Sequence, residues 1–242
     1  MHSLKQTSRK LLRTTGFDLI RYPPPFNPCD SRSWHPDNFN TNLVLDVGAN
    51  IGQYGQHLRH IGYRGRILSF EPTKQAFRLL DQVSRRDGNW RTQQMALGES
   101  RSSTTINISA NSVSSSILPM LSRHTDAEPG SSYVGTEEID VRRLDEVVPP
   151  LLTISDRVWL KIDTQGYELA VMRGATRILG QVAIVQLEVS LVPLYEGAPT
   201  FEGVRTALAA AGFIMVAVGH GFADTRNDEV LQIDGLFRKR NS

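Results

Sequence analysis

A regular alternation of short apolar strands and amphipathic helices begins at residue 43 and constrains the fold more than any other feature. The first unit is a predicted strand at 43–47 followed by a helix at 52–61, and the second is a strand at 66–70 followed by a helix at 74–83. A third strand is predicted at 90–97. This alternation is typical of a parallel sheet with helices on both faces.

The alternation is interrupted between residues 103 and 143, where a Ser/Thr/Asn-rich stretch precedes alternating apolar and polar residues. We interpret this region as two short strands around a long loop, and such insertions in α/β domains are commonly functional. The pattern returns with strands predicted at 158–163 and 182–189, helices at 166–179 and 201–211, and an antiparallel pair at 213–218 and 230–238. The expected fold is α/β, a Rossmann-like sheet of seven mostly parallel strands with an inserted loop and β segment.

The composition fits a soluble globular chain. Of its 242 residues, 40% are hydrophobic and 21% are charged, and the formal net charge is +2. We predict a basic helix and proline-rich lead-in over residues 1–40 and one large domain over residues 41–242. The single cysteine, Cys29, excludes an internal disulfide and a cysteine-rich zinc site, so a buried or inert thiol is expected. Neither a bilayer-spanning apolar run nor a secretory signal is present in the sequence, which predicts a cytoplasmic location.

Basic residues are concentrated near both ends of the sequence. The plain interpretation is a pair of solvated tails. The alternative is weak contact with an anionic surface, such as the inner face of a membrane that carries a lipid-linked substrate. No basic stripe is interleaved with aromatic residues, so a nucleic-acid partner is not expected. The residues concerned are Lys5, Arg9, Lys10, Arg13 and Arg21, together with Arg238, Lys239 and Arg240.

The turn after the first predicted strand has the features of a cofactor-binding turn. It contains, in order, Asp46, Gly48, Ala49, Asn50 and Gly52. Gly48 permits a tight turn, and Gly52 lets the next helix pack closely on the strand. A pyrophosphate-binding turn prefers a third glycine, and a carboxylate at Asp46 would repel phosphate. That carboxylate could instead accept hydrogen bonds from an ammonium or hydroxyl group, which favours S-adenosylmethionine.

Two further positions fit a nucleoside. Glu71 follows the second predicted strand, about 20 residues after the glycine turn, where a carboxylate can hold both hydroxyls of a ribose. Nicotinamide and methionine-derived cofactors share that ribose, so Glu71 does not choose between them, and by itself it could simply cap a helix. Ala96, at the end of the third strand, could flank an adenine ring.

Acidic residues also mark the fourth and fifth predicted strands. Asp163 and Glu188 lie at the strand ends, and Glu168 lies one turn into the following helix. Because burial of unpaired acids is costly, we expect these carboxylates to hold sugar hydroxyls, act as a general base or bind a divalent cation. Salt bridges to Lys161 or Arg173 are the structural alternative.

From about residue 43 to 238 the chain resembles FkbM-type methyltransferases. The resemblance implies a class I methyltransferase fold, S-adenosylmethionine as the donor, and O-methylation of a hydroxyl, commonly on a sugar of a glycoconjugate or on a polyketide. The lead-in is similar to that of sugar O-methyltransferases of glycolipid biosynthesis. The resemblance rests on these segments, in this order: "DVGANIGQY", "SFEP", "MALGE", "NSVSSSILP", "VRRLDEV", "LKIDTQGYELAVMRGA" and "VQLEVS".

The resemblance also implies roles for individual residues. A serine run would close over the donor or the acceptor, and Asp163 would lie near the reacting centre. In one departure, many relatives carry an acid where this chain has Gln165, which makes a metal role less secure. The residues implied to hold the donor are Asp46, Gly48, Asn50 and Gly52 at its methionine part, Glu71 at its ribose and Ala96 at its adenine, with Ala49 and Pro72 as further cofactor-binding candidates. Ser114, Ser115 and Ser116 would lie in the loop that closes over the donor or the acceptor.

Methyl transfer to a hydroxyl requires alignment of the acceptor and removal of a proton. We expect Asp163 or Glu188 to orient the hydroxyl or accept its proton, with His124 or His220 from a covering loop as a further candidate. A lone loop histidine is also compatible with simple solvation. Alternatives are nicotinamide-dependent oxidoreduction, a cofactor-binding module without catalysis, and methylation of nucleic acid or another small molecule such as a polyketide.

Overall fold

The computed structural model describes residues 14–15 and 26–240, and the structural statements below concern those residues. The N-terminal part of the lead-in, where the basic helix is expected, lies outside them, apart from Thr14 and Thr15. The strands, in chain order, are β1 (Leu43–Val47), β2 (Arg66–Phe70), β3 (Trp90–Gln93), β4 (Ala96–Leu97), β5 (Ser102–Ser109), β6 (Tyr133–Arg142), β7 (Val158–Ile162), β8 (Val182–Ser190), β9 (Phe213–His220), β10 (Ala223–Asp224), β11 (Glu229–Val230) and β12 (Gln232–Lys239). The α-helices are α1 (Gln53–His60), α2 (Lys74–Ser84), α3 (Ser122–Ala127), α4 (Leu144–Val147), α5 (Glu168–Arg173) and α6 (Phe201–Ala210).

Seven strands form the central sheet, in the order β3-β2-β1-β7-β8-β12-β9. The first five of these are parallel to one another, and β12 inserts antiparallel between β8 and β9. The predicted α/β sheet of seven mostly parallel strands is thereby confirmed. The inserted segment forms a separate sheet, in which β6 pairs with β5 antiparallel and with β4 parallel.

The two faces of the sheet are covered by different helices. Leu58 of α1 and Leu80 of α2 pack in the apolar cluster on one face. Val171 of α5 and Leu208 of α6 pack in the larger cluster on the other. Since successive side chains of a strand point to opposite faces, a strand covered on both faces is buried along its whole length, as Leu43–Val47 is, and Asp46 is the one polar residue in it.

Two predicted elements differ from the structure. The strand expected at 90–97 is split, because the chain leaves the edge of the central sheet after Gln93 and β4 pairs with β6 instead. The helix expected at 166–179 is only α5, at Glu168–Arg173. It ends at Gly174, where a β-carbon would lie 2.0 Å from the carbonyl oxygen of Gly98, so the chain turns away at this close contact.

A row of buried polar side chains crosses the sheet on the face covered by α1. Ser69, Asp46, Lys161 and Gln186 are neighbours in register on β2, β1, β7 and β8. At one end of the row, Trp90 Nε1 donates to Ser69 Oγ over 3.0 Å. Residues in register point to the same face, so the four side chains form one row. Asp46 and Lys161 are next to last in their strands, so the row lies just below the carboxyl ends of the parallel strands.

The described part of the lead-in packs against the sheet. Trp34 is buried in the cluster beneath α1, and the backbone N–H of Val218 donates to the carbonyl of Pro28 over 2.9 Å. Cys29 is exposed, so the expectation of a buried thiol is wrong in that respect. The domain boundary at residue 40 stays a prediction.

The sequence predicted that the C-terminal basic residues form a solvated tail. The structure instead places two of them in a strand. Arg238 and Lys239 belong to β12, and Lys239 Nζ donates to the carbonyl of Ala211 over 2.8 Å. Within residues 14–15 and 26–240, none of the helices is both long and apolar enough to cross a membrane.

We predict that alanine substitutions at two helical glycines have opposite effects on stability. A β-carbon at Gly55 in α1 would lie 2.2 Å from the Trp90 ring, so Gly55→Ala should lower the free energy of unfolding by about 2 kcal/mol through overpacking. The matched variant Gly203→Ala in α6 would meet only Pro199, at 3.6 Å, and should raise it by about 0.5–1 kcal/mol. Urea unfolding measures both, and equal effects would contradict the tight packing of α1 on Trp90.

Candidate functional site

A cavity of about 460 Å³ opens at the carboxyl ends of the parallel strands, within the usual range for ligand sites. This is the edge of the sheet where α/β folds bind ligands. One end of the cavity is mainly apolar and lies towards β2 and the inserted sheet. The other end is polar and lies towards β7, β8 and β12.

The turn after β1 is shaped by a close approach between strands. Gly48 has a φ of 77°, and a β-carbon there would lie 1.8 Å from the carbonyl oxygen of Asp163. Gly48, Ala49 and Asn50 line the cavity as predicted. Gly52 does not line it, and instead precedes α1 as its N-terminal cap residue with a φ of 89°.

The backbone N–H groups of this turn are already paired within the protein. Those of Gly48 and Ala49 both donate to the carbonyl of Phe70 over 3.0 Å, and that of Asn50 donates to Glu71 Oε2 over 2.9 Å. A pyrophosphate-binding turn directs such N–H groups at the ligand. The pairing therefore argues against a dinucleotide, independently of the acid at position 46.

Asp46 itself is placed differently from the prediction. Its side chain is fully buried beneath the cavity and does not line it. It accepts a hydrogen bond from Ser69 Oγ at 3.0 Å and pairs with Lys161 Nζ at 3.4 Å. Burial raises the pKa of Asp46, and the attraction of Lys161 opposes that rise. The carboxylate holds a lysine in place and is not a direct cofactor ligand in this arrangement.

Lys161 lines the cavity and is shared between two acids. Its ammonium lies 3.4 Å from Asp46 Oδ1 and 3.3 Å from Asp163 Oδ2, and it lies over the Tyr54 ring at 5.3 Å from the centroid. Burial disfavours the charge, but Asp163 and Asp46 outweigh burial and raise the pKa of Lys161. The lysine is therefore a fixed positive charge.

Glu71 lines the cavity from the end of β2 and connects two turns. Its Oε1 accepts from the backbone N–H and hydroxyl of Thr73, at 2.9 and 2.6 Å, and its Oε2 accepts from Asn50. Burial raises the pKa of Glu71, against hydrogen bonds that lower it. A carboxylate can accept about four hydrogen bonds, so capacity remains for a ribose hydroxyl.

The apolar end of the cavity contains the position expected to face adenine. Ala96 is buried and lines the cavity beside Pro72, Met95 and Ile106. The serine loop covers this region from β5. Ser115 lines the cavity as predicted, together with Ser112 and Val113, whereas Ser114 and Ser116 do not line it.

The acidic rim has a different membership from the predicted one. Glu168 folds back on its own turn, where its Oε1 accepts from the N–H groups of Thr164 and Gly166 at 3.1 and 3.0 Å. The third acid of the rim is Asp234 of β12, which lies beside Glu188 of β8 in register. The antiparallel insertion of β12 brings Asp234 to this place.

Gln165 connects two of the rim acids. Its Nε2 donates to Asp163 Oδ1 over 2.8 Å and to Glu188 Oε2 over 3.1 Å. Asp163 and Asp234 line the cavity, whereas Glu188 is partly buried behind them. Burial, with the negative charges of Asp163 and Asp234, raises the pKa of Glu188 to about 8.

The structure does not bring the candidate histidines into the cavity. His124 is buried in a small apolar cluster against Tyr195 and Phe222, with ring centroids 5.2 Å away in each case. His220 is exposed, and its Nδ1 lies 2.9 Å from the carbonyl oxygen of Gly221. Neither residue lines the cavity.

Sequence reasoning missed several polar residues that line the site, among them Tyr54, Lys161 as a cavity residue, Gln186 and Asp234. Lys161 and Gln186 precede Asp163 and Glu188 by two positions on their strands, so period-two alternation could have found them. In the described residues, the structure contains no group of three or more His, Cys, Asp or Glu side chains placed to hold a metal ion. The divalent cation considered from the sequence therefore has no ligand set there.

Comparison with known proteins identifies the class of enzyme. In structure, the chain is similar to the methyltransferase FkbM from Methylobacillus flagellatus, with a TM-score of 0.51 and 16% identity over 81% of this chain. It spans 43% of that protein's length. Weaker similarities are to Aeropyrum pernix fibrillarin (TM-score 0.46, 15% identity, 82% of this chain and 67% of that one) and to a Burkholderia thailandensis 1,6-didemethyltoxoflavin N1-methyltransferase (TM-score 0.45, 12% identity, 85% and 74%).

The chain has a Rossmann-like α/β fold, with its cavity at the carboxyl ends of the parallel strands. More particularly, the model of the methyltransferase FkbM domain matches residues 46–215, and the chain belongs to that family. This membership favours methyl transfer over nicotinamide-dependent oxidoreduction. A comparison with curated protein sequences found no match.

We predict that Glu188→Gln removes a pH dependence of stability. The carboxyl group of Glu188 ionises at about 4.5 when unfolded and at about 8 when folded, so the folded protein binds the extra proton and wild-type stability falls as pH rises between these values. The variant should equal the wild type at acidic pH and exceed it above pH 8 by on the order of 5 kcal/mol. Urea unfolding across pH measures this difference.

The control for this experiment is Glu196→Gln, since Glu196 is exposed. Its stability should follow that of the wild type at every pH. A Glu188→Gln variant with the wild-type pH profile would contradict the elevated pKa of the rim acid.

Proposed function

We propose that this methyltransferase transfers a methyl group to a hydroxyl of a sugar in a glycolipid or related glycoconjugate. The observation that carries the proposal is the chemistry of the polar end of the cavity. Asp163 and Asp234 face the cavity there, with Gln186, Tyr54 and Ser31 beside them. Carboxylates, amides and hydroxyls at one edge offer the mixture of acceptors and donors that adjacent sugar hydroxyls require.

The opposite end of the cavity fits the donor. The apolar surface around Ala96 suits an adenine ring, and Glu71 suits a ribose. The turn at Gly48 leaves room where a β-carbon would meet the backbone of Asp163. When bound, S-adenosylmethionine supplies an electrophilic methyl group attached to a sulfonium.

Asp163 is the residue that we assign to the acceptor hydroxyl. It faces the cavity, and both of its oxygens are held, Oδ2 by Lys161 Nζ at 3.3 Å and Oδ1 by Gln165 Nε2 at 2.8 Å. In this role Asp163 orients the hydroxyl and accepts its proton as the methyl group is transferred. Glu188 is the second acid of the pair, since it reaches Asp163 through the Gln165 amide. His220 has no part in this proposal because it is exposed outside the cavity.

A lipid-linked acceptor would bring the protein to a membrane surface. The basic residues near the start of the sequence would add attraction to an anionic surface there. Free glycans and polyketide acceptors of the same hydroxyl chemistry are the alternatives, and the experiment that follows separates them.

We predict that labelled S-adenosylmethionine transfers its methyl group to the glycolipid fraction of a cell extract. Parallel reactions should contain free glycans, polyketides, and glycolipids in anionic or neutral vesicles, each with and without chelator. Label found only in protein or nucleic acid would contradict the sugar acceptor. Label found only in polyketide would select the alternative.

Asp163→Asn tests the assigned residue in the same assay. Loss of a general base should lower kcat by about 10²- to 10⁴-fold, while the dissociation constant of the donor, measured by calorimetry, changes little. Asp140→Asn is the control, because Asp140 is exposed on β6. Full turnover by an Asp163→Asn variant that binds the donor would remove Asp163 from the mechanism.

A further inference from the structure

We propose that Gln165 is a positioning residue whose side-chain amide holds Asp163 and Glu188 together as one acidic pair for proton acceptance. The inference rests on the proposed function, in which Asp163 contacts the acceptor. It also assigns a role to a residue that the sequence reasoning treated only as a missing acid.

Both polar atoms of the Gln165 side-chain amide, Nε2 and Oε1, make hydrogen bonds. Its Nε2 donates to Asp163 Oδ1 at 2.8 Å and to Glu188 Oε2 at 3.1 Å, so both of its N–H bonds have acceptors. Its Oε1 accepts from the Tyr195 hydroxyl at 2.7 Å. Rotation of the amide by half a turn would place its oxygen against the two carboxylates and its nitrogen against Tyr195. One orientation is therefore strongly favoured.

Tyr195 fixes that orientation from a buried position. It is 1% exposed and packs edge-on against His124. Burial raises the pKa of Tyr195 far above its ordinary value, so its hydroxyl keeps its proton and remains a donor to Gln165. The hydroxyl is 3.3 Å from the carbonyl of Ser114, and its shorter contact is the one to Gln165.

The backbone of Gln165 is also held in an unusual conformation. Its φ is 53°, in the left-handed region, and the next residue, Gly166, has a φ of 98°. Ser116 Oγ donates to the Gln165 carbonyl over 2.7 Å, from the serine loop. A non-glycine residue with positive φ is uncommon and is retained where its surroundings determine it. Here the left-handed turn aims the side chain back at the strand ends.

The pair requires such a donor because acids outnumber cations around it. Two carboxylates close together disfavour each other's charge, and a neutral amide that donates to both lets them approach without adding charge. The titratable groups that face the pair are Lys161 and Asp46 from the centre of the sheet, Glu168 from α5, Asp234 from β12, and Tyr195, with His220 acting on Asp234. The hydrogen bond from Gln165 lowers the pKa of Glu188 and so opposes burial.

The test follows the titration of Glu188 and does not need an acceptor. Protein labelled with ¹³C at glutamate carboxyls is titrated by NMR, and Glu188→Gln identifies the resonance of Glu188. Gln165→Leu removes the donor, so the pKa of Glu188 should rise by about one to two units, the size expected for one hydrogen bond to a charged group. Tyr195→Phe, which frees the amide oxygen, should give a smaller rise.

A second variant covers the case in which Gln165→Leu does not fold. Gln165→Glu keeps the size of the side chain and an acceptor for Tyr195, but it loses the paired donor, and it should also raise the pKa of Glu188. Gln181→Leu is the matched control, since the Gln181 amide donates to the Thr153 carbonyl at 2.8 Å at the opposite edge of the sheet. An unchanged Glu188 titration in both folded Gln165 variants would overturn the proposal.

Kinetics then separate this inference from the proposed function. With an acceptor from the labelling experiment, Gln165→Leu should lower kcat by about 10- to 100-fold through misplacement of the pair, with the KM for the donor nearly unchanged. Because the pKa of Glu188 is raised in this variant, its activity should recover partly at pH values above the wild-type optimum. If Asp163→Asn keeps full turnover, the proposed function fails. If Asp163→Asn is inactive while Gln165→Leu has wild-type kcat and pH profile, only the positioning role fails.

Discussion

The ammonium of Lys161, buried between Asp46 and Asp163, is the interaction on which the site depends. It lies in the polar row at the centre of the sheet, where each partner alone would be costly to bury. Asp46 balances the charge from below and Asp163 from the cavity side. As a result, Lys161 connects Asp163, which faces the cavity, to Asp46 in the middle of the sheet. Asp163 is thus held in place by electrostatic attraction as well as by the backbone hydrogen bonds of the strands.

The polar and apolar ends of the cavity are built by different means. At the apolar end, backbone contacts dominate: the turn after β1 has its N–H groups paired with Phe70 and Glu71, and the inserted sheet supplies the wall. At the polar end, side chains from three strands of the central sheet meet, and an amide and an ammonium separate their negative charges. The first arrangement offers an apolar surface, whereas the second offers charged and hydrogen-bonding groups.

Much of the fold could be predicted from the sequence, because the spacing of apolar residues indicates which faces of the strands and helices are buried. The bounds of β1 and β2 are those predicted, since short apolar runs between turn residues leave little freedom. The helix α5 ends earlier than predicted, at Gly174, which contacts the carbonyl of Gly98. Such a contact between residues distant in sequence cannot be predicted from a local pattern. The same limit applies to the site. Residue type and strand position indicated Glu71 and Asp163, but Glu168 was assigned to the rim because the sequence does not show that its carboxylate turns back to its own N–H groups.

The position of β12 has a consequence for how the sheet is assembled. This strand is late in sequence but internal in space, with β8 on one side and β9 on the other. Because β12 lies between β8 and β9, β9 can join the central sheet only when β12 is in place. The same late strand carries Asp234, so the wall of the cavity is completed only when the sheet closes. One strand therefore both completes the central sheet and supplies an acid to the polar end of the cavity.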